Sequence, residues 1–168
     1  MRRFILMIAA VVVATVASAQ SVVTVDSEKI FKSIAAYNEA LKTIDELGKE
    51  YQAQVDAKFS EVEALYNNYV TTQRAYLSES GRAAREQEIL AKEAEATKFQ
   101  ESKFGQSGEL MKRRVELIKP IQERVFAAIE SYAKANNIDL VVDKAANTTL
   151  LYESSAIDRT EQIIQMLK

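Results

Sequence analysis

The side chains able to do chemistry in this chain are few in kind. Histidine and cysteine are both absent. Without them there is no Ser-His-Asp triad, no cysteine nucleophile and no ordinary zinc site. The chain carries 24 aspartates and glutamates, so carboxylate-only catalysis is formally open, yet no glycine-rich phosphate loop accompanies them. The sequence therefore reads as a non-enzyme, with neither cofactor nor metal. What remains is contact chemistry. Phe59, Tyr66, Phe99 and Phe104 recur at helical spacings that a single packing seam does not fully use. Such rings either widen a helix–helix interface or lie open to touch a client.

The element that carries these rings is a long helix. From residue 34 to 77 there is no proline, and apolar residues recur at steps of three and four. Written as a heptad, position a takes Ile34, Leu41, Gly48, Val55, Val62, Tyr69 and Tyr76; position d takes Tyr37, Ile44, Tyr51, Lys58, Leu65 and Thr72. A repeat of 3.5 keeps one narrow seam turned toward a partner helix. About six heptads make a rod of roughly 65 Å, which a small core cannot cover. Ser78, Ser80 and Gly81 mark a turn with its tip near residues 78–82, and a second helix over 82–136 returns antiparallel. Its seam reads Leu90, Ala94, Thr97, Glu101, Phe104, Gly108, Met111, Val115, Ile118, Gln122, Val125, Ile129 and Tyr132. Gly48, Gly105, Gly108 and Pro120 are hinge candidates; close helix packing is the competing reading of the glycines, and Pro120 is expected to kink its helix.

The ends differ in pattern. Met1, Arg2 and Arg3 precede an apolar run of about 13 residues and Ala17-Ser18-Ala19, the form of a signal peptide over 1–19 cleaved after Ala19. Removing Arg2 and Arg3 leaves 20 basic against 24 acidic residues, a net charge of −4. A weakly acidic chain does not suit nucleic acid. An exported chain without disulfides must be held by packing or oligomerisation.

Residues 21–26 read as a strand, and Asp26 or Ser27 as the cap of a helix continuing through Phe31 and Ile34. Residues 138–143 and 148–152 read as a β-hairpin, with Ile138, Leu140 and Val142 on one face. Asp158 to Glu161 has capping-box spacing and opens a last helix with Ile163, Ile164 and Leu167 on its apolar face. Val22, Val23, Val25, Leu140, Val142, Leu150 and Leu151 are assigned to a β-rich body over 20–31 and 137–168, with the hairpin over 32–136 as an arm. So small a body is marginal alone, and pooling strands between copies would close its edges.

The strand-Asp start Val22-Val23-Thr24-Val25-Asp26 with Lys29-Ile30-Phe31, and the closing block from Ile138 through Ile164, resemble the Skp (OmpH-like) periplasmic chaperones. The resemblance implies an α+β, mostly helical fold. Strands of a homotrimer would form a barrel, and the helical hairpins would project from it as coiled-coil tentacles around a cavity. It further implies an ATP-independent holdase that shields unfolded outer-membrane proteins in the periplasm. Read beside it, the spacing of Phe59, Tyr66, Phe99 and Phe104 makes them the candidate client contacts. Residues 74–98 balance five basic against five acidic side chains, so a lipopolysaccharide site is not carried over. Competing readings are a structural coiled-coil spacer or an adaptor of the cell envelope.

Overall fold

The computed structural model describes residues 21–146 and 149–168. The signal-peptide reading falls on residues outside that range. The elements run β1 (Val22–Val25), α1 (Ser27–Lys32), α2 (Ala35–Asn68), a π-helical turn (Tyr69–Gln73), α3 (Glu79–Phe104), α4 (Glu109–Ala135), β2 (Leu140–Asp143) and α5 (Thr160–Leu167).

Asp26 caps α1, its side chain accepting from the Lys29 amide at 2.9 Å. The helix does not continue into the arm as the sequence suggested. Ile34 leaves helical geometry (ψ 115°), and Ser33 Oγ donates to the Ile30 carbonyl at 2.7 Å. The break lets Ile34 turn inward beside Ile30, Val25, Val125, Ile163, Ile164 and Leu167, which make up the core of the body. Val125 comes from α4 and the last three from α5, so the core joins both ends of the chain to the root of the arm.

β1 and β2 pair in parallel, Val22 opposite Leu140 through Val25 opposite Asp143. Parallel neighbours need a crossover connection, and here the whole arm is that crossover. This corrects the expected β-hairpin. Residues 149–152 form no strand, and β2 pairs with β1 instead. The reason lies in where Lys144 goes: its amide donates to the Val25 carbonyl at 2.9 Å, and its ammonium is drawn toward Asp158 and Glu153. That contact steers the chain away from a tight reversal beside β2. The other side of β1 is taken by a bridge from Thr24 to Asp158.

The capping-box reading is also corrected. The α5 cap position is Arg159. Asp158 accepts from Thr160, at 2.8 Å from N and 2.6 Å from Oγ1, and Glu161 reaches Lys29 at 2.6 Å.

In the arm, α2 ascends, the chain reverses over residues 74–78, and Ser78 caps α3 through the Gly81 amide at 3.2 Å. The descending limb is two helices rather than the one expected over 82–136: α3 ends at Gly105 and α4 starts after Gly108. A methyl group on Gly105 would lie 2.5 Å from the Glu101 carbonyl oxygen, and one on Gly108 2.7 Å from that of Lys103. The turn is therefore closed too tightly for any side chain. By contrast, α2 is continuous through Gly48, where a methyl group would stand 3.8 Å from Leu110 Cδ2, an ordinary contact. Pro120 lies inside α4 without ending it.

The descending seam departs from the expected register on either side of the interruption and keeps it at Val125, Ile129 and Tyr132. In α3 the buried positions are Ile89 and Ala96, while Leu90 is exposed. In α4 Val125 is buried, Met111 and Val115 are exposed, and Ile121, Ala128, Ile129 and Tyr132 pack on the core.

Candidate functional site

The body holds one well-formed polar cluster. Lys144 Nζ donates to Glu153 Oε1 at 2.6 Å and to Asp158 Oδ2 at 2.8 Å. Thr160 Oγ1, which donates to Asp158, accepts from the Asp26 amide at 2.9 Å. Ser27 closes the ring of contacts, its Oγ donating to Asp143 Oδ2 at 2.6 Å. Burial pushes the Asp158 carboxyl up, but the hydrogen bonds from Lys144 and Thr160 outweigh it and hold the group at about 2. The same carboxylates, Asp158 first and then Glu153, raise the Lys144 ammonium above its usual range. These bonds tie β1, β2 and α5 together, while Glu153 Oε2 and the neighbouring Thr24 Oγ1 are buried without a hydrogen-bond partner.

A pH dependence follows. Asp158 is lowered in the folded state, so its stabilisation is full above the ordinary carboxylate range near pH 4 and is lost as pH falls toward 2. Lys144 is raised, so its share holds below about pH 10 and disappears only at higher pH. Asp158→Asn is expected to lower stability at pH 7 by roughly 1–2 kcal/mol, the low end for charge-assisted bonds because the side chain still reaches water. The gap between variant and parent should narrow as urea titrations move from pH 7 toward pH 2.

Among the described residues, no group of histidine, cysteine or acidic side chains is placed to hold a metal ion, and no helix is long and apolar enough to cross a membrane.

The arm has two unlike flanks, one on either side of the α2 seam. On the first, Tyr66 lines a groove of about 360 Å³ near the tip with Tyr69, Val70, Ile89 and Leu90. Tyr66, Val70 and Leu90 are exposed, while Tyr69 is buried and donates to Glu86 Oε1 at 2.5 Å. Nearer the body, Phe104 lines a groove of about 390 Å³ with Leu41, Ile44, Gly48 and Leu110. Phe59 stands a heptad before Tyr66, displaced by only about 20° around the helix, and is half-buried. Phe59 and Tyr66 thus share one side of α2, while Phe104 also packs edge-on against Tyr51, ring centroids 6.4 Å apart.

Phe99 does not join them. It sits on the other side of the seam beneath two ammonium groups, Lys58 Nζ at 5.1 Å and Lys103 Nζ at 5.3 Å from its centroid. Lys58 also reaches Glu95 at 3.1 Å. Cation–π contact of this kind is attractive and employs the ring in holding α2 to α3. The lysines escaped notice as packing residues, although Lys58 at a heptad d position was a visible signal: a charge in the seam needs a partner there. Lys103, Glu109 and Tyr51 carried no such signal, since they meet only through the break at 105–108.

Of the seven residues assigned to the body, Val23 and Val25 are buried and Val142 is half-buried. Val22, Leu140, Leu150 and Leu151 are exposed in the single chain, Leu151 almost fully. Val141, which was not among them, packs on the core.

A long helical hairpin inserted between two parallel strands of a small body defines an arm-bearing protein of the mostly helical α+β class, with apolar side chains open along the arm. Residues 21–167 match the outer membrane protein (OmpH-like) family, and the chain belongs to that family. Membership is consistent with a periplasmic chaperone of outer-membrane proteins and not with an enzyme. Comparison with curated proteins finds no match.

Proposed function

We propose that this protein is an ATP-independent periplasmic holdase that keeps unfolded outer-membrane proteins from aggregating. The observation that carries the reading is the first flank of the arm. Tyr66, Val70, Leu90, Leu41 and Phe104 are open along it, interspersed with Arg74, Glu93, Lys49 and Arg114. A rod used as a spacer has no need of apolar side chains in water on that flank, whereas many weak, dispersed contacts suit a client without fixed shape.

Enclosure requires more than one arm, and the reading includes a homotrimer. The body supports this by what it leaves uncovered: Leu140 of β2 and Leu150, Leu151 and Tyr152 after it are exposed, and the sheet among the described residues has two strands. Short sheets with exposed edges gain from pairing between copies. In this reading the mature chain begins after Ala19, residues 20–31 and 137–168 build the shared body, and lipid contact is not required.

Light scattering of the mature protein, alone and with a urea-unfolded outer-membrane β-barrel protein diluted into it, tests both parts. A trimer that holds the client in a soluble complex is the expected result. A monomer or dimer that leaves the client to aggregate would turn the assignment toward a spacer or adaptor. Within the trimer, replacing Phe59, Tyr66 and Phe104 together by serine should weaken suppression of aggregation several-fold, each truncation removing about a few tenths of a kcal/mol of contact. Undiminished suppression by that variant would remove the flank from the client site.

A further inference from the structure

The arm is weakest at one height on both of its helices. The descending limb is interrupted at residues 105–108, and Gly108 caps α4 without any side-chain bond. Directly opposite, α2 carries Gly48 against Leu110, just past the interruption. Glycine inside a helix weakens it locally, so both limbs are softened at the same level.

A single polar cluster spans that level. Glu109, the first residue of α4, presents Oε2 to two donors at once: Lys103 Nζ from the last turn of α3 at 2.7 Å, and the Tyr51 hydroxyl from α2 at 2.9 Å. Lys103 is held in place from the sides, its Nζ 4.6 Å from the Tyr51 ring centroid and 5.3 Å from that of Phe99. Its side chain is only 14% exposed, against 75% for Lys49 and Lys134, whose ion pairs lie on the outer surface. Among the described residues, Lys103–Glu109 is the one ion pair joining α3 to α4, and Tyr51–Glu109 the one side-chain hydrogen bond joining α2 to α4. One carboxylate oxygen therefore ties all three helices together where the backbone does least.

We infer that Lys103, Glu109 and Tyr51 form a latch that holds the arm straight at this level, and that breaking it lets the distal half, α3 with the outer part of α2, bend relative to the body. The latch restrains a carboxylate shared by two donors, so losing either partner removes part of the restraint and losing Glu109 frees α4, while the contacts of Lys103 and Phe104 with the Tyr51 ring still join α3 to α2. The hinge glycines supply the freedom, and the cluster decides whether it is used. The inference concerns the arm itself and does not depend on what the arm binds.

The absence of cysteine makes the test direct in the full mature chain. Spin labels at Lys42→Cys and Glu63→Cys, both exposed on α2, stand roughly 32 Å apart along a straight helix. Their distance distribution by double electron–electron resonance should be narrow in the parent and broader, with shorter distances, in Glu109→Gln and in Lys103→Met, which keeps the stem between the rings. Amide exchange over residues 108–112 should rise about three- to ten-fold in both, with a smaller rise in Tyr51→Phe, the scale of one partly exposed ion pair. Glu130→Gln breaks an outer pair with Lys134 and should change neither readout. An unaltered distance distribution in Glu109→Gln would overturn the latch. So would acceleration spread evenly over α2, α3 and α4, because that marks the cluster as a general support of the arm.

Discussion

Ile163→Ala is expected to unfold the body. Ile163 is fully buried in α5 and packs in the core with Ile30 and Ile34 from the start of the chain and Val125 from the root of the returning limb. Removing a buried isoleucine down to alanine costs about 2–5 kcal/mol, counting both the lost transfer energy and the cavity. A domain of this size has roughly 5–15 kcal/mol in total, and this one spends many residues on an arm that contributes little to the core. The substitution also detaches α5, which is otherwise tied down by Arg124 donating to the Leu167 carbonyl at 2.6 Å and by Lys29 pairing with Glu161. Urea unfolding followed by circular dichroism should show a midpoint shifted far down or a body already open in buffer. The outer arm, held by its own seam around Val55, Tyr69, Ile89 and Ala96, should retain part of the helical signal. A variant as stable as the parent would mean that the core is not where these residues meet.

The second large effect is expected at the interruption of the descending limb. Gly108→Ala places a methyl group 2.7 Å from the Lys103 carbonyl oxygen and 2.9 Å from the Gly105 amide nitrogen. Both are backbone atoms, so the contact cannot be relieved by a rotamer change. Overpacking of this kind typically costs 1–3 kcal/mol, and here it should open the 105–108 turn. Gly48→Ala offers the matching control. Its methyl group would meet Leu110 at 3.8 Å in a continuous helix, so it should leave stability unchanged or raise it by up to about 1 kcal/mol through helix propensity. Paired thermal melts of the two variants check the contrast, which plain glycine-to-alanine propensity would not produce.

Much of the architecture is legible in residues alone because it depends on periodicity. The 3.5 repeat over 34–77 has no other stable use than a long partnered helix, and α2 with its π-helical extension occupies Ala35–Asn68 and Tyr69–Gln73 of that stretch. The two β-branched runs likewise become β1 and β2. Local signals were weaker guides where a tertiary partner competes for the same group. Asp158 has the spacing for a capping box, but Lys144 also draws on its carboxylate, and the cap shifts by one residue. Ile34 fits the helical stripe, yet it breaks the helix because the core beside Ile30 is the better place for its side chain.

The candidate site shows the same division. That Phe59, Tyr66, Phe99 and Phe104 lie on an arm follows from their spacing. Which of them faces outward depends on the angle at which each limb crosses the other, and the turn at 105–108 resets that angle halfway along. Composition and periodicity by themselves determined an arm-bearing, mostly helical chain, because the period of an apolar face is a property of the sequence. Only the tertiary structure decided that β2 runs parallel to β1, that the returning limb is two helices, and that Phe99 is sequestered by Lys58 and Lys103. Each of those outcomes is a choice between partners far apart in the chain, settled by which pairing buries apolar surface and gives the lysines near it a carboxylate or a ring to face.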